Sequence, residues 1–262
     1  MNRFERLLTL SFGAVASLAA GAASASEAAG YGGGAAGSGG VSDPAAGWNH
    51  LWNEVLIDIT VIGVVFGVAA LYMLIRYRAK SPTAVGHGPK LKGAAAVAFA
   101  LVPAAIFMAD DFFLSAKGWT LWNIYRRVPP NALEIKVTGH QWYYEFDYGN
   151  GVNVVAMPGS DDYLRVPVGR PIVMRMTADD VIHSLSLPHY RVKEDIMPGR
   201  MTYIWFLPTE ARKDVVTCTM FCGDNHSQMW TNIEAMPPAQ FEAWLASQKK
   251  QAQGQRAVEN KG

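Results

Sequence analysis

The sequence predicts an α+β membrane protein, a two-helix transmembrane hairpin followed by a Greek-key β-sandwich or barrel. Three observations lead there. Two long apolar runs fill the first half of the chain; after Pro129 and Pro130 the composition changes to short segments rich in Val, Ile, Tyr and Thr; and those segments are separated by turns such as Met157-Pro158-Gly159 and Met197-Pro198-Gly199. With 262 residues, 50% apolar and 17% charged, the chain has room for one ordinary domain beside its membrane segments. A formal net charge of +1, with no basic stripe interleaved with aromatics, excludes a nucleic-acid partner.

Residues 1–25 carry Arg3 and Arg6, then an apolar run from Leu7 to Ala23, then Ala23-Ser24-Ala25. This is the layout of an exported signal peptide cleaved after Ala25. Residues 26–47 are dominated by Gly, Ala and Ser and read as a flexible linker. The hairpin is expected over 48–122. Its first span, about 55–76, is almost continuously apolar, with Trp52 and Tyr77 at interface depth. The following loop holds Arg76, Arg78, Lys80, Lys90 and Lys92 and no acidic residue, which places it in the cytoplasm and both chain ends outside. The second span, about 93–116, contains Pro103, which is expected to kink it, and Asp110 and Asp111 in its later half. Ionised carboxylates at that depth need a partner helix, water or the outer interface. The β-domain is expected over 130–247, closing with a short amphipathic helix at 238–247, and 248–262 reads as a disordered tail.

The chemistry concentrates in CTMFCGDNHSQM, residues 218–229, which spaces its soft ligands as C-x3-C-x3-H-x2-M. Two thiolates, an imidazole and a thioether on one loop select copper, and an outward location favours copper over iron–sulfur chemistry. His183 follows a predicted strand and is placed to close the site, since loop ends gather at the rim of a sandwich. One Cys, two His and a weak Met would suit a single copper; the second thiolate allows two coppers, each capped by one of His183 and His226. Met229 would bind one weakly, and a backbone carbonyl between the cysteines would bind the other. The same residues admit a Cys218–Cys222 disulfide or a structural zinc site. His189 reads as a loop residue, and His50, His87 and His140 stand without a cluster.

With these motifs, and with GHQWYYEF (139–146), DVIHSLSLP (180–188) and KEDIMPGR (193–200), most of the chain resembles subunit II of haem-copper respiratory oxidases, the cytochrome c oxidase subunit carrying the CuA centre. The resemblance implies a cupredoxin-like domain on the periplasmic side of a bacterial inner membrane. It implies two copper ions on His183, Cys218, Cys222, His226, Met229 and the Met220 carbonyl, and a haem-bearing subunit I as partner. Electrons would enter from cytochrome c near Trp142. The region from Pro130 to Ala246 holds 14 acidic and 9 basic residues, a formal charge of −5, which suits a basic donor. Asp161, Asp162, Asp179 and Asp180 are the candidate docking residues.

Three positions depart from the pattern. Met220 stands where the family usually has a glutamate that helps bind magnesium, so Asp195, the matching second carboxylate, lacks its companion. Ala96 replaces a glutamate often found at a proton-channel mouth, seven positions before Pro103. Trp230 follows Met229 where proline is usual. The resemblance makes oxygen reduction by the complex the leading expectation. A haem-copper nitric oxide reductase is the alternative that the two missing glutamates suggest, and copper delivery without redox duty is the alternative from another class. There is no C-x-x-C-H, so the chain itself carries no covalent haem.

Overall fold

A computed structural model of the chain describes residues 43–86, 88 and 90–259. The expected signal peptide, most of the expected linker and His87 lie outside the described residues.

Helix α1 (Pro44–Arg76) begins well before the apolar run that announces it. Asp43 caps it, its carboxylate accepting from the Ala45 amide at 3.0 Å, and Pro44 sits in the first turn, where its missing N–H costs nothing. Helix α2 (Ala94–Tyr125) runs through Pro103 as one continuous element, the proline forfeiting one hydrogen bond of the ladder. Both helices are long and apolar enough to cross a membrane. Their 33 and 32 residues extend about 50 Å, against about 30 Å of hydrocarbon. The excess lies on the side away from the basic loop. There the helices are clamped by Lys117, whose ammonium donates to Glu54 Oε1 at 2.6 Å, with His50 Nε2 at 3.6 Å from the same oxygen. Asp110 is half-buried on the seam near Asp58, whereas Asp111 is exposed.

The β-domain is two five-stranded sheets. One is ordered β3-β2-β1-β5-β8, from β1 (Leu133–His140), β2 (Tyr143–Asp147), β3 (Asn153–Ala156), β5 (Ile172–Ala178) and β8 (Thr202–Phe206). The other is ordered β4-β10-β9-β6-β7, from β4 (Leu164–Pro167), β6 (His183–Leu187), β7 (Val192–Ile196), β9 (Arg212–Cys218) and β10 (Trp230–Met236). Neighbours are antiparallel except β1 with β5 and β4 with β10, whose parallel pairing is the non-local connection of a Greek key. Alternating residues of each strand meet between the sheets. Ile135, Val137, Tyr144, Phe146, Met174 and Met176 from one, with Leu185, Val216 and Ile233 from the other, are sealed from solvent.

Helix α3 (Pro238–Glu259) packs Phe241 and Trp244 against Tyr148. It continues twelve residues past the expected end at 247, so 248–259 is helix and not a loose tail. Its Ala, Gln, Lys and Arg residues favour helix even after the apolar stripe that anchors the element has stopped.

Candidate metal centre

The C-terminal end of β9, the N-terminal end of β10 and the start of β6 meet at one rim of the sandwich. Residues 218–229 form the loop from β9 to β10, closed at its base by the Cys218 amide donating to the Met229 carbonyl at 3.0 Å. Tight turns shape it, with the His226 amide on the Gly223 carbonyl and the Met229 amide on the His226 carbonyl. Gly223 has φ +121°, a conformation L-residues avoid. A Cβ there would stand 2.9 Å from Gln141 Nε2 and 3.4 Å from the Trp142 ring, so the loop lies directly against the β1–β2 turn.

The soft atoms converge. The sulfurs of Cys218 and Cys222 are 3.8 Å apart, and both cysteines are buried and free, so the disulfide reading does not describe this structure. Cys222 Sγ lies 3.5 Å from His226 Nδ1 and 3.7 Å from Met229 Sδ, and Cys218 Sγ lies 3.2 Å from the Met220 carbonyl. His183 is fully buried across from them, and its ligand nitrogen and the two sulfurs all fall within 4.8 Å of one another.

His183 is oriented for this. Its Nε2 meets Asp180 Oδ1 at 2.8 Å, which fixes that proton on Nε2 and leaves Nδ1, buried and without a hydrogen-bond partner, as a free lone pair facing the thiols. Asp180 is held in turn by the Gln141 amide at 2.7 Å and the Val181 amide at 2.6 Å, and Gln141 Nε2 donates to the Cys222 carbonyl at 2.7 Å. Gly139 lets β1 approach the His183 ring, where a Cβ would stand 3.1 Å from Cδ2. Burial by itself would push both thiols up. The His183 imidazole facing it, the backbone at Ser184 and Met220, and the Cys222 thiol overcome it at Cys218, which is held low. Burial and then the adjacent Cys218 charge push Cys222 up. The two sulfurs ionise together only where a cation offsets their charge. An orphaned imidazole nitrogen, a low thiol and a thioether form a donor set that fits copper.

The other expected residues fall as follows. Trp142 is half-buried against the 218–229 loop, its indole Nε1 enclosed and unpartnered. Asp179 is exposed, and Asp161 and Asp162 are exposed on the turn entering β4, whose Leu164 pairs with Ile233 of β10. Asp180 is committed internally to His183 and Gln141. Asp195 stands opposite Ser184 in the β6–β7 register and, among the described residues, joins no group of three ligating side chains. With a methionine at 220, these side chains by themselves do not fit a hard cation that needs several oxygens. His189 is exposed, and His140 stacks on Tyr143 beside Glu145. Reading the chain missed Asp180, Gln141, Gly139 and Gly223 as supports of the site. The D-x-x-H spacing was the one available signal.

Residues 152–236 match the family model for the periplasmic domain of cytochrome c oxidase subunit II. Among curated proteins, the chain is 27% identical over 236 residues to the alternative cytochrome c oxidase subunit 2 of Bradyrhizobium diazoefficiens, covering 78% of this chain and 82% of that one. It is 27% identical over 227 residues to cytochrome c oxidase subunit 2 of Cereibacter sphaeroides, covering 73% and 72%. Among solved structures, the periplasmic domain of subunit II of cytochrome oxidase of Bradyrhizobium japonicum is similar at 32% identity. That match covers 48% of this chain and 99% of that one, with a TM-score of 0.46. With two apolar helices ahead of a cupredoxin-like sandwich, with residues 152–236 matching that family model and with those relatives matched over about three quarters of its length, the chain belongs to the family of cytochrome c oxidase subunit II.

Proposed function

We propose that this chain is the electron-accepting subunit of a haem-copper terminal oxidase in a bacterial inner membrane. It would take electrons from cytochrome c at a binuclear CuA centre and pass them to haem in subunit I, where oxygen is reduced. The observation that carries the reading is the convergence of six donors on one rim: His183, Cys218, the Met220 carbonyl, Cys222, His226 and Met229. Copper held by these residues would supply one-electron transfer.

The chain's own residues do the rest. Cys218 and Cys222 would present their sulfurs to the metal, and the Asp180 carboxylate holds His183 in the tautomer that offers Nδ1. Gln141 pins the Cys222 carbonyl and so positions that thiol. Trp142, resting on Gly223 of the loop, supplies an aromatic path from the outer surface to the site. Asp161, Asp162 and Asp179 present carboxylates to a basic donor.

Purified chain loaded with copper should contain two coppers per chain, absorb in the visible and give a seven-line electron resonance pattern. Cys222→Ser should abolish that pattern; its survival would refute the bridging assignment, and a zinc or copper-delivery protein would show no such signature. Ala96 and Met220, where carboxylates of the family are missing, favour a second reading as the CuA subunit of a nitric oxide reductase. Turnover of the whole complex with oxygen and with nitric oxide separates the two.

A further inference from the structure

The β-domain is joined to the two helices by more than the connecting chain. Helix α2 ends at Tyr125, and Arg126, its C-cap, lies where the helix meets the sheet bearing His183. The Arg126 guanidinium stacks over the Trp122 ring at 4.3 Å and pairs with Glu194 Oε2 at 3.0 Å. Its carbonyl accepts from the Tyr203 hydroxyl at 3.1 Å, and the neighbouring Tyr125 hydroxyl donates to the Lys193 carbonyl at 3.2 Å. On the other helix, Asn49 Oδ1 accepts from Arg191 Nε at 3.0 Å. All but the Tyr203 bond land on residues 191–194, at the start of β7. That strand pairs along its length with β6, and its last residue, Ile196, stands opposite His183. A tilt of the domain on the helices therefore displaces the strand beside the buried histidine.

We propose that Arg126 is a positioning residue, clamped between Trp122 and Glu194 so that the copper-bearing sheet is held on the helices at one height and orientation relative to the partner that receives the electron. The inference rests on the electron-transfer reading above. A planar guanidinium suits the role because it can stack on an aromatic face and bond a carboxylate at once, which an ammonium cannot. The pair is partly exposed, so it adds little to the stability of the sandwich and its loss leaves the domain folded. What it controls is placement, on which the onward step depends steeply.

The test uses the whole complex with Arg126→Ala, Arg126→Lys, Glu194→Gln and the charge exchange Arg126→Glu/Glu194→Arg. Electrons are injected photochemically, and reduction of the copper centre and of the partner's haem is followed separately. In Arg126→Ala the copper spectrum and the injection rate should match wild type while onward transfer slows by on the order of tenfold. Arg126→Lys should fall between the two, and the charge exchange should recover part of the rate. In the copper-free chain, amide hydrogen exchange across 192–196 should quicken in Arg126→Ala, a readout independent of turnover. An unchanged onward rate, or a copper spectrum lost along with the rate, overturns the assignment. Absence of the two-copper spectrum from wild type overturns the underlying reading instead.

Discussion

Asp180 lies three positions before His183, a spacing that on a straight strand would turn the two side chains to opposite faces. The chain bends at 179–181 before β6 begins, and the carboxylate reaches the ring. The convergence of the four soft side chains of the 218–229 loop was legible because they share one short string, and that of His183 because it sits at a strand end. Asp180 and Gln141 were not, because their meeting depends on the parallel pairing of β1 with β5, which sets Gly139 beside Ala178. Burial works against ionisation of Asp180, but bonds from His183 and from the Val181 and Gln141 amides hold its carboxyl below the ordinary 3.8. Its stabilisation is thus complete above that value and lost as the pH falls through the lower folded one. Asp180→Asn should flatten the acid limb of the copper-free chain's stability curve, followed by circular dichroism. It should also weaken copper affinity by about 10–100-fold, measured by competition with a chelator. Gly223→Ala should cost about 1–3 kcal/mol in thermal unfolding of the same copper-free chain, since the new methyl group meets both an unfavourable φ and the Gln141–Trp142 turn.

At the level of elements, the strands were readable from alternation and turn residues, whereas helix ends were not. An apolar run reports only the part of a helix that lipid surrounds. It is silent about the polar turns Pro44–Glu54 and Lys117–Tyr125, which continue outward because Asp43 caps one helix and each helix finds the other's polar groups. Glu54 and Lys117, 63 positions apart, could not be matched by reading along the chain. With one oxygen of Glu54 enclosed and unpartnered, the ammonium is its main compensation. Lys117→Met should destabilise the hairpin by about 3 kcal/mol in detergent unfolding, and adding Glu54→Gln should restore most of that. Equal losses in the single and double variants would show that the pair contributes nothing to joining the helices.

For the whole molecule, the overall charge near zero conceals an uneven distribution, basic in the loop between the helices and acidic beyond Pro130. Reduction by a basic cytochrome should slow as ionic strength rises, with most of the change around a Debye length of about 10 Å. A rate indifferent to salt would remove steering from the account, and Asp179→Asn is the variant in which a smaller salt slope should appear first. The acidic surplus was legible in the sequence; which of those charges are tied up was not, since the Asp180 carboxylate is bonded to His183 and Gln141 whereas that of its neighbour Asp179 stands out in solvent.

The two candidate imidazole ligands also live in different solvents. His183 is sealed within the protein, while His226 sits at the rim under Phe221, a ring 76% exposed and packed edge-on to it. In heavy water, the ring proton of the first should be retained for long times and that of the second replaced at once. Covering Phe221 by a neighbouring subunit should close that difference, making isotope replacement at one imidazole a gauge of whether the complex has assembled.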